Sequence, residues 1–75
     1  MPAEMRPLRI TVNGRAQVIE VAGRPTVADA IDALGLKGKR FAVERNGEIV
    51  SRSRYGDIVL EEGDRLEIVG AVGGG

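Results

Sequence analysis

TVADAIDALGL, residues 26–36, is the stretch on which the fold turns. Val27, Ala30, Ile31 and Leu34 fall at i, i+3, i+4 and i+7, the spacing of one buried helix face. Asp29 and Asp32 point away from that face. Thr26 opens the helix and caps it through its hydroxyl, and Asp29, three residues on, makes a shorter version of a capping box. Gly35 suits the left-handed position just past the helix, and Leu36 is placed for the hydrophobic contact of a Schellman end.

Upstream, Leu8, Ile10 and Val12 alternate with Arg9 and Thr11, which predicts a half-buried strand. Asn13-Gly14 follows, the strongest short hairpin signal, because a type I′ turn needs positive φ at both central residues. RAQVIEVA, residues 15–22, reads as the returning strand, with Ile19 and Val21 inward and a less clean alternation at Gln17 and Glu20. Residues 1–7, MPAEMRP, have no periodicity and two prolines, so they read as a loose leader in which Met5 is an alternative start.

Downstream, Lys37 to Arg40 form a basic loop. FAVERNGEIV, residues 41–50, reads as strand, Asn46-Gly47 turn and strand, with Phe41 and Val43 inward and Ala42 and Glu44 outward. Residues 51–57 are irregular, with one short helical turn near Tyr55. Ile58 to Leu60 pack back on the core, and residues 61–64 turn into a last strand, RLEIVGAV, with Leu66 and Ile68 inward and Glu67 and Val69 outward. One helix covers one face of one sheet. A right-handed crossover through the helix puts a later strand parallel to the first. The expected class is α+β: a mixed sheet of four to five strands and one main helix, with a leader at 1–7, a domain over 8–72 and a glycine tail at 73–75.

Composition bounds the function. A chain of 75 residues has room for one small core. Its 11 basic and 11 acidic side chains balance, so net charge argues for neither nucleic acid nor membrane. Lys37, Lys39 and Arg40 read as a solvated loop, too short and too poor in aromatics for nucleic acid. There is no cysteine and no histidine. That removes disulfides, thiolate ligands and thiol nucleophiles, and with them the commonest general base and metal ligand. Asp29 and Asp32 are helix-surface charges rather than a catalytic pair, and Tyr55 is a packing residue with a wet hydroxyl. With no long apolar run, a cytoplasmic location is expected. Taken together, the residues favour a substrate or carrier over a catalyst.

Ala71-Val72-Gly73-Gly74-Gly75 poses the remaining question, since glycine costs more backbone entropy to order than any other residue. Such a run is either a frayed end or a thin, mobile tail whose terminal carboxylate is chemically modified.

In this order, the motifs resemble the ThiS family of ubiquitin-like β-grasp sulfur carriers. The resemblance rests on Val12-Asn13-Gly14, Thr26-Val27, Ala42-Val43-Glu44 with Asn46-Gly47, and Ile49-Val50 followed by Arg52. Gly63-Asp64 and Val72-Gly73-Gly74-Gly75 complete it, so it runs from Leu8 to Gly75. The sequence departs from the family in its extension over residues 1–7 and in Ser51, where proline is expected.

The resemblance implies a carrier, not an enzyme. An E1-like, ThiF-like partner uses ATP to adenylate the Gly75 carboxylate, and no cofactor is bound by the chain itself. Sulfur from a donor such as a cysteine desulfurase replaces AMP, and a ThiG-like thiazole synthase takes the sulfur for the thiazole of thiamine. Gly73 and Gly74, lacking Cβ, pass through a narrow slot in the partner. A fully extended stretch from Val72 to Gly75 reaches about 13 Å at roughly 3.3 Å per residue. Val69 and Val72, with Phe41 and Ala42 nearby, are the expected docking surface, and Arg52 is placed to pair with acidic groups on a partner. Two other readings stay open. One is a carrier for molybdopterin or cysteine synthesis; the other is a β-grasp interaction module or lysine-linked modifier without sulfur chemistry.

Overall fold

The computed structural model describes residues 4–70. Five strands, β1 (Arg6–Val12), β2 (Arg15–Val21), β3 (Phe41–Arg45), β4 (Glu48–Val50) and β5 (Arg65–Gly70), form one sheet in the order β2-β1-β5-β3-β4. One helix, α1 (Val27–Ala33), covers one face of it, and a single 3-10 turn spans Arg52–Arg54. The last strand in sequence is central in space. β5 runs parallel to β1 and antiparallel to β3, as the expected crossover through the helix requires.

Both hairpins form at the Asn-Gly pairs. Asn13 and Gly14 have φ of 50° and 81°, and Asn46 and Gly47 have 51° and 88°, so each turn has positive φ at both central residues. α1 is short but fully terminated. The Thr26 hydroxyl accepts from the Asp29 N–H, and the Asp29 carboxylate accepts from the Thr26 N–H at 2.8 Å. The next two amides, Val27 and Ala28, donate to the carbonyls of Ile58 and Tyr55, each at 2.9 Å. The orphan donors of the helix start are thus satisfied partly by the cap and partly by residues 55–58. At the other end Gly35, at φ 74°, donates to Asp32 and Leu36 donates to Ile31, the two bonds of a Schellman end. Leu34 is the C-cap and only half-buried, so the buried face is Val27, Ala30 and Ile31.

These three side chains meet Leu8, Ile10, Val12, Ile19, Val21, Val43, Leu60, Leu66 and Ile68 in one core. Fully burying an aliphatic side chain contributes about 1.5–3 kcal/mol, so this layer is the main apolar source of stability.

The sheet corrects one expected boundary. β1 begins at Arg6, with Arg6 opposite Val21 and Pro7 opposite Glu20, so Arg6 and Pro7 belong to the sheet rather than to a leader over 1–7. Pro7 is tolerated because its missing N–H falls on the side of β1 away from β2. The amides of Arg9 and Thr11 point the same way, to Glu62 and Asp64. The Arg6 guanidinium donates to the Gly23 carbonyl at 3.2 Å and extends the pairing.

Candidate functional site

The expected chemistry lies at the end of β5. Gly73, Gly74, Gly75 and Val72 fall outside the described residues; the structure leads up to them through Ile68, Val69 and Gly70. There β3 supports one side of the strand, with Ala42 opposite Val69 and Phe41 opposite Gly70. On the other side, β1 pairs with β5 only as far as Leu66. The Asn13 side chain then takes over. Its Nδ2 donates to the Ile68 carbonyl at 2.9 Å, and its Oδ1 accepts from the Ile68 N–H at 2.6 Å. A turn residue thereby imitates one more backbone pair of the parallel ladder.

From the other hairpin, Asn46 joins a backbone amide to the Asp64 carboxylate. Its Oδ1 accepts from the Arg65 N–H at 2.9 Å, and its Nδ2 donates to Asp64 at 3.0 Å. Asp64 is 7% exposed and also accepts from the Glu61 N–H and from Arg45 Nε, each at 2.8 Å. Burial alone would push this carboxyl up. The Glu61 N–H, the Asn46 amide and the Arg45 guanidinium outweigh burial and hold it below its ordinary value. Sequence reading assigned Asn13 and Asn46 to turns and Asp64 to a turn before β5. It missed all three as clamps on β5, because apart from the Glu61 N–H their partners lie 18 to 55 residues away.

The expected docking residues separate onto two faces. Val69 is 61% exposed and, with Ala42, sits on the sheet face away from α1. Ile49, 79% exposed, lies on the same face, and Glu44 stands directly opposite Glu67 there. Like charges directly opposed across a ladder are unfavourable, so this face contains both exposed apolar surface and a directly opposed acidic pair. Phe41 belongs to the other face. It is half-buried, packs against the core, and stacks on Tyr55 with centroids 6.1 Å apart and planes 9° apart. Arg52 lies beside these rings, in an open groove they share with α1. The expectation that Phe41 and Ala42 form one surface with Val69 is therefore corrected. Consecutive strand residues point to opposite sides, and only Ala42 joins Val69.

Among the described residues no group of three or more acidic side chains is arranged to hold a metal ion. Among the described residues no helix is long and apolar enough to cross a membrane. The arrangement presents a strand end clamped at its start and exposed at its finish.

Known proteins share this architecture. The structure superimposes on the thiamine biosynthesis protein ThiS of Geobacter metallireducens with a TM-score of 0.75 and 29% identity, covering 91% of this chain and 100% of the other. The sulfur carrier protein ThiS of Bacillus subtilis is 42% identical over 50 residues, 67% of this chain and 76% of that protein. A thiazole synthase of Paramagnetospirillum magneticum is 37% identical over 68 residues, 91% of this chain. The chain spans about 20% of that synthase's length. The model of the ThiS family matches residues 5–75, nearly the whole sequence, and the chain belongs to that family.

Proposed function

We propose that this chain is the sulfur carrier of thiazole formation in thiamine biosynthesis, with the sulfur borne on the carboxyl of Gly75. The observation that carries the reading is the family match over residues 5–75, which includes the glycines, on a fold whose central strand leads into them. A carboxylate is a poor electrophile. An E1-like partner brings ATP, the Gly75 carboxylate attacks the α-phosphorus, and pyrophosphate leaves. Hydrosulfide then attacks the acyl carbon of the adenylate, AMP leaves, and a thiocarboxylate remains. The chain is a co-substrate throughout, and a cytoplasmic location is the one expected for such an ATP-dependent step. Glycines at 73 and 74 suit passage through a narrow slot, since they carry no Cβ.

The similarity of two thiazole synthases to this chain favours the thiazole pathway over molybdopterin or cysteine synthesis, and supports a ThiG-like synthase as the acceptor. A cysteine desulfurase is the expected physiological sulfur source. Val69 and Ala42 supply the exposed apolar surface beside the strand end, and the partner's docking face fits them together with Ile49.

The test is intact mass after incubation with ATP, a ThiF-like adenylating enzyme and sulfide, followed by a thiol alkylator. The chain has no cysteine, so a single alkyl adduct that maps to Gly75 is the expected result. An unalkylated chain, beside a control carrier that is converted by the same enzyme, would rule the reading out.

A further inference from the structure

On the face that carries α1, the groove beside Phe41 has a volume of about 330 Å³ and is lined by Ala28 and Ile31 of the helix, Lys37 and Lys39 of the following loop, Tyr55 and Arg52. It continues into a hollow of about 250 Å³ that shares Lys39, Phe41, Arg52 and Tyr55 and adds Arg40. Together these hollows reach the size range of ligand-binding clefts. Their base is the stacked Phe41–Tyr55 pair, half-buried and apolar.

The charge around this base is one-sided. Lys37, Lys39, Arg40 and Arg52 are all exposed, and among the described residues none of them makes an ion pair. Two acids, Asp29 and Asp32, also line the groove. The Asp29 carboxylate is already committed to the helix cap, accepting from the Thr26 N–H at 2.8 Å and from its hydroxyl at 3.2 Å. Both carboxylates keep their charge, so two anions stand against four cations and the groove remains net positive. An anionic group laid along the groove would meet unpaired positive charge over an aromatic base.

Position adds the second argument. Phe41 is the β3 residue opposite Gly70, so the groove lies one strand from the place where β5 leads into residues 71–75. Five residues span at most roughly 17 Å at about 3.3 Å each. Any protein that holds Gly75 in a reactive centre therefore holds it within about that distance of Gly70, whose β3 partner Phe41 lines the groove.

We propose that the groove receives an acidic segment of the adenylating enzyme, with carboxylates on Lys37, Lys39, Arg40 and Arg52 and an apolar side chain against Phe41 and Tyr55. The inference rests on the carrier reading and adds the chemistry of the partner's contact. It sets a basic, aromatic surface on one side of the strand end, beside the apolar and acidic surface of Val69, Ala42, Glu44 and Glu67 on the other.

The experiment is ATP–pyrophosphate exchange by a ThiF-like adenylating enzyme, with the full chain as varied substrate. The Lys37→Glu/Lys39→Glu variant and, separately, Arg52→Glu are compared with the unaltered chain, with Lys37→Arg/Lys39→Arg, and with Arg15→Glu/Arg24→Glu as a remote charge control. All the altered side chains are exposed, so thermal melting should stay unchanged. The expected result is a KM raised ~10-fold by the double reversal, with kcat within about twofold, since charges at an interface rim act mainly on encounter and salt dependence. The arginine variant should match the unaltered chain, and added salt should raise the unaltered KM more than the variant's. A KM unchanged in both groove variants, or raised equally by the remote control, would overturn the proposal. Absence of any exchange with the unaltered chain would sink the carrier reading itself, and this inference with it.

Discussion

The two ends of β5 are built in opposite ways. At its start, buried Asp64 gathers Arg45, Asn46 and the Glu61 N–H, and Asn46 returns a bond to the Arg65 N–H. At its finish, Val69 and Gly70 are exposed, β1 has already stopped pairing, and the Asn13 amide is the last hold from that side. Polar groups secure the strand where it enters the core, and side chains thin out where it leaves. A strand whose end is handed to a partner needs a fixed base and an accessible finish.

The sharpest way to break this comparison is at the finish. Deleting Gly74 and Gly75 should abolish ATP-dependent activation while leaving the melting temperature within about a degree, because the core ends at Ile68. Calorimetry and pyrophosphate exchange on the same sample check it; a large fall in melting temperature would make the glycines structural.

The next effect is at the start. Asp64→Ala removes three bonds from a buried carboxylate, and hydrogen bonds to charged groups are worth about 1.5–3 kcal/mol each at most. Arg45 keeps access to water, so a total loss of about 2–3 kcal/mol is expected, read by urea unfolding. A domain this size has roughly 4–11 kcal/mol in all. The same carboxyl gives the acid dependence. Its folded pKa is lowered, so its contribution is present above the ordinary value of 3.8 and fades as pH falls below that. Asp64→Asn should be less stable at neutral pH and should lose less stability than the unaltered chain on further acidification.

A smaller effect is expected at Asn13. Asn13→Gly keeps the positive φ of the turn but deletes both bonds to Ile68, for a loss of about 1–2 kcal/mol. Amide exchange should quicken first at Ile68, ahead of Leu66. Smallest in stability is Val69→Glu, within about 0.5 kcal/mol for an exposed position. It should instead raise the partner's KM several-fold, by placing a third acid beside Glu44 and Glu67.

Much of this could be read along the chain. The Asn-Gly turns, the Thr26–Asp29 cap, the Gly35 termination and the inward sets Leu8-Ile10-Val12 and Leu66-Ile68 depend on residues a few positions apart, and all are present. The docking residues were less legible. The alternation along β3 already separates Phe41, inward, from Ala42, outward, but nothing local shows that Arg52 joins Phe41, through a turn with no regular spacing. Arg6 and Pro7 lacked any pattern of their own and became strand because Val21 and Glu20 were there to pair with them.

Periodicity, capping and turn chemistry act over short range, so the elements, their order, the buried faces and the family are legible along the chain. Which polar side chains hold the central strand, and which exposed residues share a surface, depends on contacts made only in the folded sheet. Asn13 and Ile68 are 55 residues apart, and Arg45 and Asp64 are 19. Their bonds exist only after parallel and antiparallel pairing have brought both hairpin turns to the two sides of β5, and no local propensity encodes that meeting.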